Sequence, residues 1–500
     1  MTANPGRHAS LLGLSVAIVA GLGLAAGGGV APASAAGLDW GVCDPAVKPL
    51  PGQQCATLSV PLDYADPDGQ QIRLAVSRIA STRPDARRGT LMVIPGGPGS
   101  SGVQRLGQKG AALGRETDGA YDLVAFDPRG VGGSAKAGCG LAEADRWMVT
   151  LRSWPGADGS IDENVARSKR TAEACARNGG AMLRGLTTAN QVRDLERLRL
   201  ALGERRLSAW SVSYGTYVAA AYAQKFPERT DRWVLDSSND PDPRRVARGW
   251  LEGMAQGAED RFPDFAAWAS HPDRGDTGLR LAQRPEDVRP LVLGLAARLD
   301  REPRPTGTSG VDLTGTMLLQ ALQQALYSDA SFPAFGRLVA AALDPKGTPE
   351  LPRELTGALP DDAAAITMGV ICNDVDWPRQ SVRTYERAVA ADRVRHPLTA
   401  GMTVNVTPCA YWKGGAVEKP VRITDRGPSN ILMIQNLRDP STPYSKGMAM
   451  RRALGDRARL VSVDHGGHGV YLGNGNACGD RAVTRFLTEG VRPDGDVLCR

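Results

Sequence analysis

Little in this sequence is concentrated in one place. Its 60 Lys+Arg and 54 Asp+Glu leave a net charge of only +6, spread along the chain, so no basic stretch marks nucleic acid as a partner. The 59 glycines and 34 prolines follow no Gly-X-Y period, which excludes a collagen-like fibre. There is no internal repeat, no long low-complexity linker and no CxxC pair, and the last argues against a structural zinc site. Past the first 35 residues no apolar run is long enough to span a membrane. Histidine is scarce too. Of five, only His271, His396, His465 and His468 lie beyond residue 35, which narrows any search for a general base. What remains is ordinary: 42% hydrophobic and 23% charged residues, as in a globular chain and unlike a disordered one. The 500 residues are enough for two or three domains, or one large domain with an insertion.

The N-terminus carries an address. Arg7 and His8 precede a weakly apolar run from Leu11 to about Ala26, followed by Ala33-Ser34-Ala35. A charged start, a short apolar middle and a small-x-small exit describe a secretory signal peptide over residues 1–35, cleaved near Ala35/Ala36. Export to the extracellular space, without stable membrane insertion, is therefore expected. All eight cysteines follow this segment, and an even count in an exported chain points to disulfides. Eight cysteines allow about a hundred pairings. Nearest neighbours would give Cys43–Cys55, Cys139–Cys175, Cys372–Cys409 and Cys478–Cys499.

Strand-like runs recur along the chain. Ala56–Leu62 and Ile72–Ile79 read as an antiparallel hairpin. Thr90–Ile94 and Asp122–Phe126 are short, apolar and bounded by Gly or Pro, as buried parallel strands are. Leu207–Trp210, Trp233–Leu235, Asn430–Ile434 and Leu460–Val463 complete eight candidates. Helical patterns fall between many of them, as over Ala189–Leu202. The expectation is an α/β fold: an eight-stranded, mostly parallel sheet with helices on both faces. Few strand signals occur between strands six and seven. Arg245–Gly257, Pro285–Leu299, Asp312–Leu326 and Phe335–Ala342 look helical there and read as a large cap over the usual ligand crevice. The domain boundaries expected are 36–240 for the first part of the core, 241–410 for the cap and 411–500 for the rest of the core.

The chemistry gathers at strand ends. Ser213 stands in Trp210-Ser211-Val212-Ser213-Tyr214-Gly215, between a strand and a helix, the setting of a nucleophile elbow. Ser211 replaces the usual glycine of G-x-S-x-G but is still small. Serine needs a base. His468, in the glycine-rich loop Gly466-Gly467-His468-Gly469 after the last strand, is the first choice, with His465 as fallback. A metal role for this histidine pair lacks further ligands. The base needs an acid to fix its tautomer. Asp439, after strand seven, gives the order Ser…Asp…His known from α/β-hydrolases; Asp236, at the end of strand six, competes. The loop Pro95-Gly96-Gly97-Pro98-Gly99-Ser100-Ser101-Gly102 follows strand three. Glycines there let backbone N–H groups approach a substrate closely. An oxyanion hole would combine Gly97 with Tyr214. No Gly-Lys-Ser/Thr follows, against a phosphate loop.

Five motifs in order carry a resemblance: GGPGSSG, DLVAFDPRGVGGS (Asp122–Ser134), SVSYGTY, RDPSTPY and GGHGVY. Together they resemble the secreted tripeptidyl aminopeptidases of actinobacteria, grouped with the proline iminopeptidases among α/β-hydrolase serine exopeptidases. The similarity runs from about Trp40 to Cys499. It implies a secreted serine exopeptidase that acts on peptides with free N-termini, releases tripeptides through an acyl-enzyme on Ser213 and needs no cofactor or metal. Asp127 and Arg129 in the DPRG run are expected to be structural. An aminopeptidase must hold a free ammonium, and a cap carboxylate would do so. The run Ile371-Cys372-Asn373-Asp374-Val375-Asp376 resembles a cap motif of the family, making Asp374 the first candidate and Asp376 the second. The same triad would equally serve a secreted carboxylesterase. A dehalogenase or epoxide hydrolase of this fold would need a carboxylate where Ser213 stands.

Overall fold

In a computed structural model, residues 37–244, 246 and 248–500 are described; the expected signal peptide lies outside them. The eight expected strands are present, and two short edge strands extend the sheet to ten. They are β1 (Gly41–Val42), β2 (Gln53–Pro61), β3 (Gln71–Ile79), β4 (Thr90–Ile94), β5 (Asp122–Phe126), β6 (Leu207–Val212) and β7 (Thr230–Asp236), then, after a two-stranded ribbon of β8 (Arg304–Pro305) and β9 (Asp312–Leu313), β10 (Ile431–Arg438), β11 (Ala458–Gly466) and β12 (Val497–Cys499). The sheet order is β1-β2-β3-β5-β4-β6-β7-β10-β11-β12. β1 to β3 and the β3–β5 pair are antiparallel, and all other pairs are parallel. The edge strands escape sequence reading because two or three residues carry no periodicity.

The central strands are buried throughout, because both faces are covered. Leu91 and Val93 of β4 pack with Leu106, Leu113, Val483 and Phe486 from helices Gly102–Glu116 and Ala477–Glu489. Met92 and Ile94 belong to the opposite core, with Val192, Leu195, Val218 and Met450 from helices Thr188–Ala201, Tyr214–Lys225 and Tyr444–Leu454. Each such side chain contributes about 1.5–3 kcal/mol. The strict alternation of β4 thus feeds two cores and fixes its register.

Between β7 and β10 the chain is mostly helical: Arg248–Ser270, Pro285–Arg301, Gly315–Ala325, Phe332–Leu343, Asp361–Asp374 and Val382–Arg395. The first runs through Pro263 to Ser270, well past the expected Gly257. Unlike Asp361–Asp374, which packs into the core beneath the sheet, the first four of these helices share a separate apolar core that includes Phe262, Phe265, Leu318, Leu322 and Phe332. Trp154, from the excursion between β5 and β6, is buried in this same core.

Disulfides join Cys43–Cys55, Cys139–Cys175, Cys372–Cys409 and Cys478–Cys499. The second closes a loop within the excursion between β5 and β6, and the third joins the helix Asp361–Asp374 to the short turn Pro408–Tyr411. Among the described residues no helix is long and apolar enough to cross a membrane. Replacing Cys139 and Cys175 by Ser should lower unfolding stability by about 2–5 kcal/mol, read by chemical denaturation. A loss below about 1 kcal/mol would mean that this bridge does not constrain the chain as its 36-residue separation implies.

Candidate active site

Ser213 sits at the sharp turn from β6 into the helix Tyr214–Lys225, with φ 60° and ψ −129°. A non-glycine residue held there costs about 1–3 kcal/mol, so its surroundings must impose it. Two glycines permit the crowding. A Cβ on Gly215 would lie 2.5 Å from the Pro95 carbonyl oxygen, and one on Gly96 would lie 2.8 Å from Ser213 Cβ. Ser211, the departure from the usual glycine, is accommodated because its hydroxyl donates to the Val234 carbonyl at 2.8 Å. The Ser213 N–H donates to the Asp236 carbonyl at 3.0 Å, pinning the turn to the end of β7.

His468 follows β11. Its Nδ1 lies 3.0 and 2.9 Å from the two carboxylate oxygens of Asp439, beyond the end of β10. Asp439 is 1% exposed, and the local sequence holds it. The N–H groups of Ser441 and Thr442 donate to Oδ1, and the Thr442 hydroxyl donates to Oδ2, each at 2.8 Å. That is why Asp-Pro-Ser-Thr suits this position: a short turn folds its own donors back onto the carboxylate. His468 N–H donates to the Tyr327 carbonyl of the cap at 2.8 Å, and the Tyr327 ring meets the imidazole edge-on at 5.2 Å. Burial disfavours the imidazolium, but Asp439 and, secondarily, Asp236 outweigh it, so the His468 pKa is raised. Ser213 and His468 line one cavity of about 390 Å³. The Ser213–His468 hydrogen bond itself is not formed; such contacts often tighten only once substrate binds.

Gly96, Gly97 and Tyr214 line the same cavity as Ser213. Asp374 and Asp376 are not brought there. Asp374 accepts from the Thr188 N–H at 2.8 Å and the Thr188 hydroxyl at 2.5 Å, and Thr188 in turn contacts the Tyr214 hydroxyl at 2.7 Å. Asp376 accepts from the Ala416 N–H at 2.9 Å. Neither carboxylate lines the catalytic cavity, and no other carboxylate among the described residues does. The expected anchor for a substrate ammonium is therefore not formed by these residues. His465 turns away as well, its Nε2 3.8 Å from Asp329. Asp127 and Arg129 serve structure. Asp127 accepts from the Ser101 hydroxyl and the Val103 and Gly133 N–H groups, and Arg129 forms a buried pair with Asp194 at 2.7 Å.

Asp236, the rival acid on sequence grounds, does something else. Its Oδ1 accepts from the Val470 N–H and the Ser237 hydroxyl, and its Oδ2 from the Tyr471 N–H and Trp210 Nε1, at 2.9–3.3 Å. Burial raises its pKa, opposed by those donors. It clamps the loop that carries His468. No local motif announces this, because its partners are backbone groups more than 230 residues away.

A serine on a strand–helix turn, facing a histidine fixed by a buried aspartate at the ends of a mainly parallel sheet, makes this chain a serine hydrolase of the α/β-hydrolase fold. Residues 396–499 match a family model described as TAP-like protein. Over 491 residues, covering 94% of this chain and 88% of the relative, it is 32% identical to a tripeptidyl aminopeptidase of Streptomyces lividans. It is 29% identical over 492 residues (92% and 91%) to the serine protease Hip1 of Mycobacterium tuberculosis. It is also 31% identical over 467 residues (89% and 86%) to carboxylesterase B of the same species. The chain belongs to the tripeptidyl aminopeptidase-like family of α/β-hydrolases.

Two predictions follow from these charges. A base must be neutral to accept a proton, so activity falls as pH drops through the His468 pKa. That pKa is raised, which puts the acid limb of kcat/KM above about 6.5; Asp236→Asn removes one raising charge and should move the limb to lower pH. A wild-type limb at or below about pH 6 would contradict the first statement. An unmoved limb in the variant would leave Asp236 a purely mechanical clamp. For Asp374, burial raises the carboxyl from 3.8 to about 7. The unfolded chain gives up this proton near pH 4 while the fold keeps it, so stability falls as pH rises from about 4 to 7. Asp374→Asn should flatten Tm against pH over that window; an unchanged slope would refute the assignment.

Proposed function

We propose that the chain is an exported serine exopeptidase that hydrolyses peptide bonds near free N-termini and releases short peptides, with tripeptides as the main product. Ser213 Oγ attacks the scissile carbonyl as His468 Nε2 takes its proton. The N–H groups of Gly97 and Tyr214 receive the oxyanion, each donor stabilising the transition state by about 2.7–4 kcal/mol. His468 returns the proton to the departing amine, and the peptide bond breaks. Water, deprotonated by His468, then cleaves the acyl-Ser213 ester and frees the N-terminal fragment. Asp439 keeps Nδ1–H facing itself and Nε2 facing the serine.

The observation that carries this reading is the Asp439–His468 pair at the cavity that Ser213 lines, in a chain aligned along nearly its whole length with a tripeptidyl aminopeptidase. A cap over the crevice favours a chain end over the middle of a long substrate. Four disulfides suit an oxidising compartment, which supports export together with the N-terminal signal in the sequence. The relationship to carboxylesterase B favours a second reading, an exported carboxylesterase with the same triad.

A peptide of about ten residues, with its N-terminus free or acetylated, separates the two. The peptidase reading expects a ladder of tripeptides from the free form only, seen by mass spectrometry, and a loss of at least about 10⁴-fold in Ser213→Ala. Equal cleavage of both forms would remove the dependence on a free N-terminus. No cleavage alongside fast turnover of a simple ester would establish the esterase.

A further inference from the structure

The catalytic cavity is mostly apolar, with Trp250, Leu251, Met254 and Met368 in its wall, yet its charge is one-sided. Besides His468 the charged residues of the lining are Arg105 and Arg152, and no carboxylate joins them. Arg105 stands on the helix Gly102–Glu116, directly after the glycine-rich loop. Its guanidinium lies 5.4 Å from the centre of the Trp210 ring. The carboxylate that steadies its charge is Asp236. That carboxylate already accepts from the Val470 and Tyr471 N–H groups, the Ser237 hydroxyl and the Trp210 indole. Of the guanidinium nitrogens only Nε is closed off without a partner, and the two Nη groups keep accessible surface. Arg152 comes from the cap side, just past the short helix Met148–Leu151, whose Met148 packs against the cap core. Among the described residues its guanidinium meets the Met254 sulfur, Nη1 to Sδ at 3.9 Å, and no carboxylate.

An arginine keeps its charge at any working pH, and burying that charge without a partner is costly. For Arg105 burial lowers the pKa, and Asp236 offsets this only in part. Water can solvate both guanidinium groups in the free enzyme. A substrate that fills an apolar cavity expels water, and must replace its bonds or lose affinity. A carboxylate replaces them, since a guanidinium fork takes both of its oxygens. A neutral side chain does so less well, and an ammonium adds a further positive charge. The Arg105 charge also opposes the imidazolium of His468, which forms as the serine proton is transferred. A carboxylate seated on Arg105 weakens that opposition, so its benefit extends to the transition state.

We infer that Arg105 and Arg152 form an anion-recognition subsite, by which the enzyme prefers substrates that carry a carboxylate close to the scissile bond. The inference rests on the peptidase reading for the bond that is cut; what it adds is the class of peptide. An acidic side chain and the free C-terminus of a short peptide offer the same carboxylate, and the test separates them. Neither arginine takes part in making or breaking a bond. Each selects what is held beside Ser213, and the substrate ammonium lies away from both.

The test compares isosteric substrate pairs. In a short peptide that the wild type cleaves, each position flanking the cut carries Glu or Gln in turn. In a separate pair the C-terminus is a free acid or an amide. The readout is the ratio of kcat/KM within each pair. One pair should favour the carboxylate by about tenfold or more in the wild type. A Glu pair assigns the subsite to a side chain, the C-terminal pair to the chain end. In Arg105→Gln or Arg152→Gln that ratio should fall below about threefold, because the fork is gone. Labelling of Ser213 by a fluorophosphonate checks that each variant has a folded catalytic apparatus, and Arg105→Met or Arg152→Met stands in for a glutamine variant that fails to label. Ratios near one for every pair in the wild type, or a preference that both variants keep, would overturn the inference and leave the peptidase reading standing. A wild type that cleaves no peptide but turns over a simple ester would overturn the peptidase reading. The inference then stands if a half-ester of a dicarboxylic acid outruns its amide counterpart by the same margin, and falls if the two are turned over equally.

Discussion

The site depends on the last residue of β7. Asp236 binds the nucleophile turn through its main-chain carbonyl and the base loop through its carboxylate. Neighbouring Ser237 adds a bond, accepting from the Gly469 N–H at 3.0 Å. A fully buried carboxylate is tolerated only where donors surround it, and here two backbone N–H groups, a hydroxyl and an indole do so. The spacing between serine and histidine is thus set by a third strand lying between theirs. The base loop could not shift without leaving a buried carboxylate short of donors, nor the nucleophile turn without losing its bond to the β7 carbonyl.

The cap is bound to the same machinery. Arg261, 1% exposed, donates to the Leu326 carbonyl and pairs with Asp264 and Asp329. Arg438, the last residue of β10, reaches Asp264 from the core side and Asp464 of β11. Tyr327, one residue after Leu326, offers its carbonyl to the His468 N–H. The lid and the base are consecutive links in one network. Of this set only Arg261 is fully buried, so stripping it of its carboxylate partners would leave a buried charge unpaired, which costs more than such a pair contributes when intact.

Much of this was legible in the sequence. The buried strands announced themselves because central parallel strands are apolar on both faces, and Ser213, Asp439 and His468 could be picked out because each follows a strand. The elbow survived the loss of its first glycine for a reason the sequence hides: Ser211 finds a carbonyl for its hydroxyl. Asp374 shows where such reading stops. It lies three residues after Ile371, which faces the cavity, so helical spacing alone would put both on one face. The helix beginning at Thr188 takes it instead, because the first N–H groups of a helix need acceptors. Asp236 was beyond reach for a different reason: its role depends on distant backbone atoms, which leave no pattern along the chain.

The four disulfides all join cysteines that are neighbours in sequence, with separations of 12, 36, 37 and 21 residues. A chain threaded N-terminus first across a membrane would present each pair within a short interval, before the next pair had emerged. Oxidation could then keep pace with translocation, because at each stage the correct partner is the only free thiol nearby. In an exported chain the order of cysteines would serve as an assembly schedule, one that needs no reshuffling of wrongly paired bridges.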